Sequence, residues 1–172
     1  NQSVAPGTVF YAKSVPVPKR DVAKAKALIK EAGFDRVKVQ MSVPNTTEFK
    51  QAAEILQGMV GEAGFDMELR IFETATLLRD WTAGNFESLL ILWSGRVDID
   101  GNIYSFTTCK GAQNDTHYCN AAVDALLTRA RQVADPAERK KLYDPTTELL
   151  QRDVPRLILW HRRVFTGFSA KI

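Results

Sequence analysis

The 172-residue sequence has only two cysteines, no long apolar run and no strong excess of charge of either sign. No stretch approaches the ~18 apolar residues of a membrane-spanning helix, and the first residues lack the charged-then-apolar pattern of a signal peptide. The net charge is +3, and the basic residues are scattered along the chain. Nucleic-acid binders concentrate such charge on one face together with aromatic side chains, so we expect no nucleic-acid partner.

Motifs that carry catalysis or bind cofactors are also missing. There is no G-x-S-x-G nucleophile elbow beside His117 or His161, and no glycine-rich loop that would hold a phosphate. Asp98 and Asp100 lie two positions apart, which gives no fixed separation for a catalytic carboxylate pair, and their surroundings do not match a calcium loop. These absences favour a protein that is not an enzyme and that uses no cofactor or metal.

Cys109 and Cys119 lie ten residues apart in a stretch rich in glycine, asparagine and aspartate. This spacing suits a short disulfide loop, which would contribute roughly 3 kcal/mol by chain entropy and would favour an oxidising compartment. Two alternatives stay open at this point, namely two free thiols and a metal site that includes His117. A zinc site would normally bring four ligands at close spacing.

Hydrophobic periodicity in the first half of the chain predicts helices that alternate with strands. The helices are expected at about 21–32, 49–63 and 74–83, and the strands at 37–41 and 67–71. Alternation of this kind favours a mixed, mostly parallel sheet that is flanked by helices. The expected fold class is therefore α/β.

The pentapeptide Glu-Ala-Gly-Phe-Asp occurs twice, at 31–35 and 62–66. Gly33 and Gly64 each allow a left-handed helix C-cap, and the following phenylalanine can fold back on the last helical turn. Because there are only two copies, the repetition indicates consecutive α/β units and not a solenoid.

Two further helices and two strands are expected in the second half of the chain. One helix is predicted at 120–134 with Asn120 as its N-cap, and the other at 135–152, where Asp135-Pro136 forms a cap-and-N1 pattern. Pro145 should break or restart the second of these helices. The strands are expected at 155–160 and 164–168.

The two ends of the chain differ from its middle. Residues 1–20 are rich in proline and cannot hold a regular helix, so we expect an extended segment there. The last residues, 170–172, still resemble a strand, and natural termini rarely lie within strands. We therefore expect this sequence to be a fragment of a longer protein.

The candidate binding residues come after an apolar run at 88–92, which predicts a buried strand that continues to residue 93. The polar segment Trp93-Ser94-Gly95-Arg96-Val97-Asp98 comes next, at the carboxyl end of this strand, where open α/β sheets place ligand sites. It supplies an aromatic face, a guanidinium and a carboxylate, but no paired nucleophile and base. The segment therefore predicts binding and not catalysis.

Six motifs stand in a recognisable order along nearly the whole chain. They lie at 21–34, 93–102, 117–120 followed by 123–127, 135–139, 142–143 and 153–155. In this order they closely resemble the family-5 extracellular solute-binding proteins, which are the dipeptide-, oligopeptide- and nickel-binding receptors of bacterial ABC importers. A single motif of this kind would be weak, but the six together are specific.

The resemblance implies a longer, bilobed receptor that closes on its ligand. Residues 1–172 would be a single α/β lobe, the C-terminal ligand-binding lobe of a periplasmic or lipid-anchored extracellular protein. Its partners would be a peptide or similar small solute, the membrane permease of the importer and the remaining lobe of the same receptor.

The resemblance also implies roles for individual residues. In the peptide-binding members, the tryptophan that closes the strand lines the pocket, and an aspartate three residues later holds the amine of the ligand. Trp93 matches the first, but Arg96 occupies the second position and reverses its charge. Either the ligand presents an anionic group to Arg96, or Arg96 pairs internally with Asp98 or Asp100. The expected ligand-binding residues are Trp93, Ser94, Gly95, Arg96 and Asp98.

Two other classes of protein compete with a transport receptor. A ligand-sensing domain of a transcriptional regulator could share the fold, and it would have reduced cysteines and a parent gene that encodes a DNA-binding helix-turn-helix. A fragment of an α/β hydrolase would need a nucleophile and base that this sequence does not show.

Overall fold

The structure is a computed structural model, and it describes residues 2–169. These residues form two compact units. The first, the sheet unit, is Pro18–Ser94, and the second, the helical unit, consists of the described residues of Asn1–Val17 and Gly95–Ile172. The assignment of residues 1–172 to a single lobe stays a prediction.

The sheet unit alternates helices with parallel strands. Its elements are α1 (Val22–Glu31), β1 (Val37–Pro44), α2 (Thr47–Ala63), β2 (Phe65–Phe72), α3 (Thr74–Thr82) and β3 (Ser88–Leu89). The strand order is β2-β1-β3, and both pairings are parallel. The predicted α/β class, with a parallel sheet flanked by helices, is confirmed.

Strands β1 and β2 pair along their whole length, from Val37 opposite Phe65 to Pro44 opposite Phe72. Because side chains alternate along a strand, this register collects apolar residues of both strands on one face of the sheet. The buried residues of the unit include Val43, Ala53 of α2 and Leu77 of α3, all at most 2% exposed. The alternation read from the sequence therefore identifies the face that packs against helices.

The two copies of Glu-Ala-Gly-Phe-Asp have the same glycine conformation but different surroundings for their phenylalanines. Gly33 and Gly64 are both left-handed, with φ of +87° and +108°, as predicted. After α1 the chain turns back on the last helical turn, since Gly33 N donates to Lys30 O at 3.0 Å and Phe34 N donates to Ile29 O at 3.1 Å. The Phe34 side chain is 56% exposed, and Phe65 is the first residue of β2.

Strand β3 is shorter than expected, because only Ser88 and Leu89 pair with β1. One more hydrogen bond, from Leu90 N to Ser42 O at 2.9 Å, continues in the same direction. Residues 91–93 have no strand structure, and Leu92 is 43% exposed. A continuous apolar run indicates burial, but it does not show how far a strand finds a pairing partner.

The helical unit contains α4 (Asp100–Thr107), α5 (Ala121–Ala130) and α6 (Pro136–Asp153). Its core is a cluster of side chains that are at most 2% exposed, namely Ile99, Ile103, Val123, Leu127, Ala130 and Tyr143. Helix α4 is not predicted by the sequence, since its eight residues lie within a segment whose polar and glycine residues suggest a loop. Ile103 of this core and Phe106 are both 2% exposed, so burial of its apolar side chains stabilises the helix.

Helix α6 continues through Pro145, so the expected break is wrong. A proline inside a helix removes one hydrogen bond and strains the preceding turn. Here Tyr143 and Thr146 on either side are fully buried. The hydroxyls of Thr146 and Thr147 donate to Leu142 O and Tyr143 O at 2.8 and 2.9 Å. Packing and these hydrogen bonds offset the local cost of the proline.

The strands expected at 155–160 and 164–168 are not formed, and that prediction is wrong. These residues have no regular secondary structure, and Leu157, Val164 and Phe165 are 69%, 77% and 89% exposed. Apolar composition alone cannot supply the neighbouring strand that a sheet requires. The strand-like residues 170–172 lie outside the described part of the chain.

Residues 2–15 form turns where an extended segment was expected. Gln2, 4% exposed, donates from Nε2 to Ala12 O and Val15 O at 2.8 and 3.2 Å, and accepts from Ala12 N at 2.9 Å. The buried amide of Gln2 thus joins the start of this segment to Ala12 and Val15. Within residues 2–169, no helix combines the length and the apolarity needed to cross a bilayer.

Candidate functional site

The five predicted binding residues lie where the chain passes from one unit to the other. Trp93 and Ser94 end the sheet unit, and Gly95, Arg96 and Asp98 begin the helical unit. Trp93 is half-buried, whereas the other four residues are exposed. All five follow β3 along the chain, and their role in binding stays a prediction.

Residues 95–102, which we term the Arg96 turn, are closed by a single asparagine. Arg96 N donates to Asn102 Oδ1 at 2.7 Å, and Asn102 Nδ2 donates to Arg96 O at 2.8 Å. Gly95 enters the turn with φ of +77°, a conformation that other residues adopt only with strain. Asn102 could not be identified as a functional residue from the sequence, because its role depends on two backbone groups six positions away.

The side chain of Arg96 is held close to the start of α4. Its Nη1 donates to Gly95 O at 2.9 Å. A Cβ atom on Gly101 would lie 2.9 Å from both Cβ and Cγ of Arg96, which is closer than such atoms approach. The absence of a side chain at Gly101 therefore makes room for the stem of Arg96.

Asp98 is engaged by α6 and by the first turn of α4. Arg139 donates to both of its carboxylate oxygens at 2.9 Å, and Asp100 N donates to Oδ1 at 2.8 Å. These hydrogen bonds, with that of Arg139 the stronger, hold the pKa of the Asp98 carboxyl below its usual value. Asp98 thereby ties the Arg96 turn to the body of the helical unit.

Arg139 is itself fixed by aromatic neighbours. Its side chain is only 15% exposed, and its guanidinium carbon lies 5.3 and 5.5 Å from the ring centres of Phe10 and Tyr143. It also donates to the Tyr143 hydroxyl at 3.1 Å. The bonds to Asp98 raise the pKa of the Arg139 guanidinium against the opposing effect of burial, so the cation stays charged where it is held.

The second carboxylate of the turn pairs with another arginine. Arg131, just after α5, lies with Nε 3.1 Å from Asp100 Oδ1, and its guanidinium stacks 3.8 Å from the centre of the Tyr104 ring. Asp98 and Asp100, the two internal partners considered for Arg96, are thus paired with Arg139 and Arg131. Periodicity could not reveal these pairs, which join residues 41 and 31 positions apart.

Cys109 and Cys119 form a disulfide, with their Cα atoms 4.3 Å apart. The prediction of a disulfide is therefore confirmed over free thiols and over a metal site with His117. Asn114 organises the loop between them. Its Nδ2 donates to Thr108 O and Tyr118 O at 3.0 and 2.6 Å. The loop is thus held by polar contacts as well as by the covalent bond.

Two of the motifs that carried the family resemblance meet at the end of α6. Asp153 Oδ2 accepts from Tyr118 Oη at 2.7 Å and from Asn120 Nδ2 at 3.0 Å, and Arg152 Nε donates to Oδ1 at 2.7 Å. Asn120 Oδ1 also accepts from Ala122 N at 3.0 Å and caps α5. Burial and the contact with Asp153 raise the pKa of Tyr118 to about 12, while the Arg152 contact leads those that lower the pKa of Asp153. The hydrogen bonds between these two motifs stabilise the helical unit.

A groove of about 600 Å³ lies on the sheet unit. Charged side chains of both signs line it, including Arg36, Lys38, Asp66, Glu68 and Glu87. Arg36 and Asp66 form an ion pair with Nε 2.7 Å from Oδ1, so part of this charge is internally balanced. None of the five predicted site residues contributes to the groove.

The chain is similar to a known protein family and to individual known proteins. The family described as "Bacterial extracellular solute-binding proteins, family 5 Middle" matches residues 1–114. The "Di/tripeptide-binding protein 4" of Pseudomonas aeruginosa (strain UCBPP-PA14) is 30% identical over 169 residues, which is 93% of this chain and 32% of that protein. The chain therefore spans about a third of the length of this relative.

Solved structures show the same fold. The "ABC transporter-associated periplasmic binding protein DppA from Helicobacter pylori in complex with peptide STSA" superimposes with a TM-score of 0.83 at 25% identity, covering 90% of this chain and 31% of that one. HbpA2 from Haemophilus parasuis, at 24% identity, gives a TM-score of 0.82 over 90% of this chain and 32% of its own. Both likenesses include residues of each unit.

Proposed function

Because this chain belongs to family 5 of the bacterial extracellular solute-binding proteins, we propose that it is a ligand-binding lobe of the substrate-binding component of an ABC importer. It takes up a peptide or similar small solute in a cleft with a second lobe and delivers that solute to a membrane permease. The observation that carries this proposal is similarity along nearly the whole chain to a di/tripeptide-binding protein and to a peptide-bound structure.

The segment after β3 supplies the solute contacts in this proposal. Trp93 offers an aromatic wall, Ser94 and Gly95 offer polar backbone and hydroxyl groups, and Arg96 offers a cation. Asp98 orients the turn through Arg139, since its carboxylate is engaged on both oxygens. Ser94, Gly95, Arg96 and Asp98 are exposed.

The protein acts by binding and not by catalysis. Closure of the two lobes around a solute shifts an equilibrium between open and closed forms, and the permease responds to the closed form. The family contains binding proteins of the bacterial periplasm or cell exterior, and the Cys109–Cys119 disulfide supports the same location for this chain.

Calorimetric titration of the full-length natural protein with di- and tripeptides tests this function. We expect saturable binding, and we expect Trp93→Ala to weaken it about tenfold or more, because buried aromatic contacts carry much of the binding energy in such sites. Trp160→Ala is the matched control, since Trp160 lies outside the proposed site. Absence of peptide binding, or equal effects of the two substitutions, would contradict the proposal.

A further inference from the structure

The chain leaves α6 through residues 153–156, which we term the exit turn. Val154 has φ of +46° and ψ of +51°, a left-handed conformation that a β-branched residue adopts only with strain. Its N–H donates to Leu150 O at 2.9 Å and closes the last turn of the helix. The proline that follows also favours an extended conformation for the residue before it. Contacts on either side of Val154 must therefore compensate for this strain.

Those contacts come from the loop that the disulfide closes and from the residue directly after it. On the helix side of the exit turn, Asp153 Oδ2 accepts from Tyr118 Oη at 2.7 Å and from Asn120 Nδ2 at 3.0 Å. On the other side, Arg156 Nη2 lies 3.6 Å from Asp115 Oδ2. The disulfide loop thus holds the exit turn at both ends.

The disulfide anchors the part of the loop that makes these contacts. The first half of the loop lies against α4, where Gln113 N donates to Ser105 O at 2.9 Å. The second half is connected to the first through the Cys109–Cys119 bond and through the side chain of Asn114. Cys119 is exposed and Cys109 is half-buried. A reductant in solution therefore meets the bond from the side of Cys119, and opening the bond removes the covalent part of this anchoring.

We propose that the Cys109–Cys119 disulfide is a redox-sensitive clamp on the exit turn. A dithiol opens it by thiolate attack on one sulfur. The second thiol of the reductant then resolves the mixed disulfide, so the protein gains two thiols and the dithiol becomes a disulfide. Two electrons and two protons pass from the dithiol to the two cysteines. In the oxidised protein the clamp keeps Val154 left-handed, whereas in the reduced protein Val154 relaxes and residues 157–168 change direction. This inference does not depend on the solute that the protein binds.

The clamp and the exit turn are thermodynamically coupled, so a change at one shifts the equilibrium of the other. Val154→Gly removes the strain of the clamped form, because glycine adopts the left-handed conformation without a steric penalty. It should therefore make the disulfide harder to reduce, by about fivefold or more in the reduction equilibrium constant. Asp153→Ala removes the acceptor of two hydrogen bonds and should make the disulfide easier to reduce, by about threefold or more. Substitutions at adjacent positions should thus act in opposite directions.

The test measures this equilibrium in the full-length natural protein against mixtures of reduced and oxidised dithiothreitol. Mass spectrometry of the alkylated protein gives the oxidised fraction of the Cys109–Cys119 pair. The same measurement is made on Val154→Gly and on Asp153→Ala. The control is Ile103→Val, which opens a small cavity in the core of the same unit and should leave the reduction equilibrium unchanged.

Hydrogen exchange locates the effect within the helical unit. After reduction, the Val154 amide, which is bonded to Leu150 O, should exchange about tenfold faster, whereas amides at the start of α6 should change less. Uniform acceleration throughout the unit would show that the disulfide is only a general cross-link, and the inference would be overturned. Reduction equilibria that match the natural protein in both variants, or that shift in the same direction, would overturn it too. Should Asp153→Ala fail to fold, Val154→Gly decides the question, because it removes strain without removing a hydrogen bond.

Discussion

In the sheet unit, consecutive strands pair through their backbones across one connecting helix, whereas the helical unit is cross-linked by specific pairs of side chains. The sheet unit pairs β1 with β2 over eight residues across a single connecting helix. The helical unit depends on the Cys109–Cys119 bond, on Asp98 with Arg139 and on Tyr118 with Asp153. One unit is built by repetition of a local pattern, and the other is cross-linked.

This difference predicts in which unit a substitution should lower the stability more. A backbone hydrogen-bonded sheet tolerates the loss of an exposed ion pair, because such pairs contribute little in water. A helical unit that is held by a few specific contacts loses more with each one, since removing one partner leaves a partly buried group unsatisfied. Substitutions in the two units can test this contrast, from the largest expected effect to the smallest.

Cys109→Ser with Cys119→Ser should destabilise the helical unit by about 3 kcal/mol, because the open chain regains the entropy of the ten-residue loop. Native-state hydrogen exchange can measure this unit by unit. We expect protection to fall in α4 and α5 and to remain in β1 and β2. Equal loss of protection in both units would contradict the contrast.

Asp98→Asn should cost about 2 kcal/mol of unfolding free energy, because it leaves the 15%-exposed cation of Arg139 without its partner. The control is Glu68→Gln, which breaks an exposed pair with Arg70 in the sheet unit and should cost less than about 0.5 kcal/mol. Urea unfolding measures both.

The stabilisation that Asp98 provides through Arg139 should also depend on pH. Its pKa is lowered in the folded protein by Arg139 and the Asp100 amide, so its contribution is present above the ordinary pKa of an aspartate and is lost as the pH falls through the lowered value. The difference in stability between the natural chain and Asp98→Asn should therefore shrink below about pH 4. A difference that stays constant in acid would show that the carboxylate charge is not responsible.

Gly64→Ala should destabilise the protein by about 2 kcal/mol, and Gly33→Ala by about 1 kcal/mol. Both glycines are left-handed, but a Cβ at Gly64 would lie 3.1 Å from Cδ1 of the buried Ile29, while one at Gly33 meets nothing within 4 Å. Thermal unfolding of the two variants tests whether alanine destabilises the protein by different amounts at the same position of two identical pentapeptides. Equal costs would mean that only the backbone conformation matters at both positions.

Tyr118→Phe should destabilise the protein by about 1 kcal/mol, through loss of its hydrogen bond to Asp153. Since the pKa of Tyr118 is raised to about 12, its contribution is complete below the ordinary tyrosine value near 10 and is lost as the pH rises toward 12. Ultraviolet titration should show one fewer late-ionising phenol in the variant than in the natural chain.

Prediction from sequence succeeded best where the signal was local. The helices and strands of the sheet unit result from apolar spacing within about a dozen residues, and the left-handed Gly33 and Gly64 result from their place after a helix. Prediction failed for α4, for unbroken α6 and for the strands expected at 155–160 and 164–168. In each of these cases the result depends on burial or on a partner element.

The same distinction applies to the residues of the candidate site, some of which could be selected from the sequence and some of which could not. The residues of the segment Trp93–Asp98 could be selected from their chemistry and from their place after an apolar run. Asn102 and Gly101 could not, because their importance lies in how they hold Arg96. Arg139 stood in a recognised motif, but nothing in its spacing connected it with Asp98.

The sequence by itself determined the α/β class and the family, and it favoured the pairing of Cys109 with Cys119, because periodicity, motif order and a short loop are properties of neighbouring residues. Only the tertiary structure decided how the Arg96 turn is held and which arginines neutralise its two aspartates. The reason is physical: an ion pair between residues 41 positions apart forms only when α6 is packed beside the turn, and that packing results from the core around Tyr143 and Ile99.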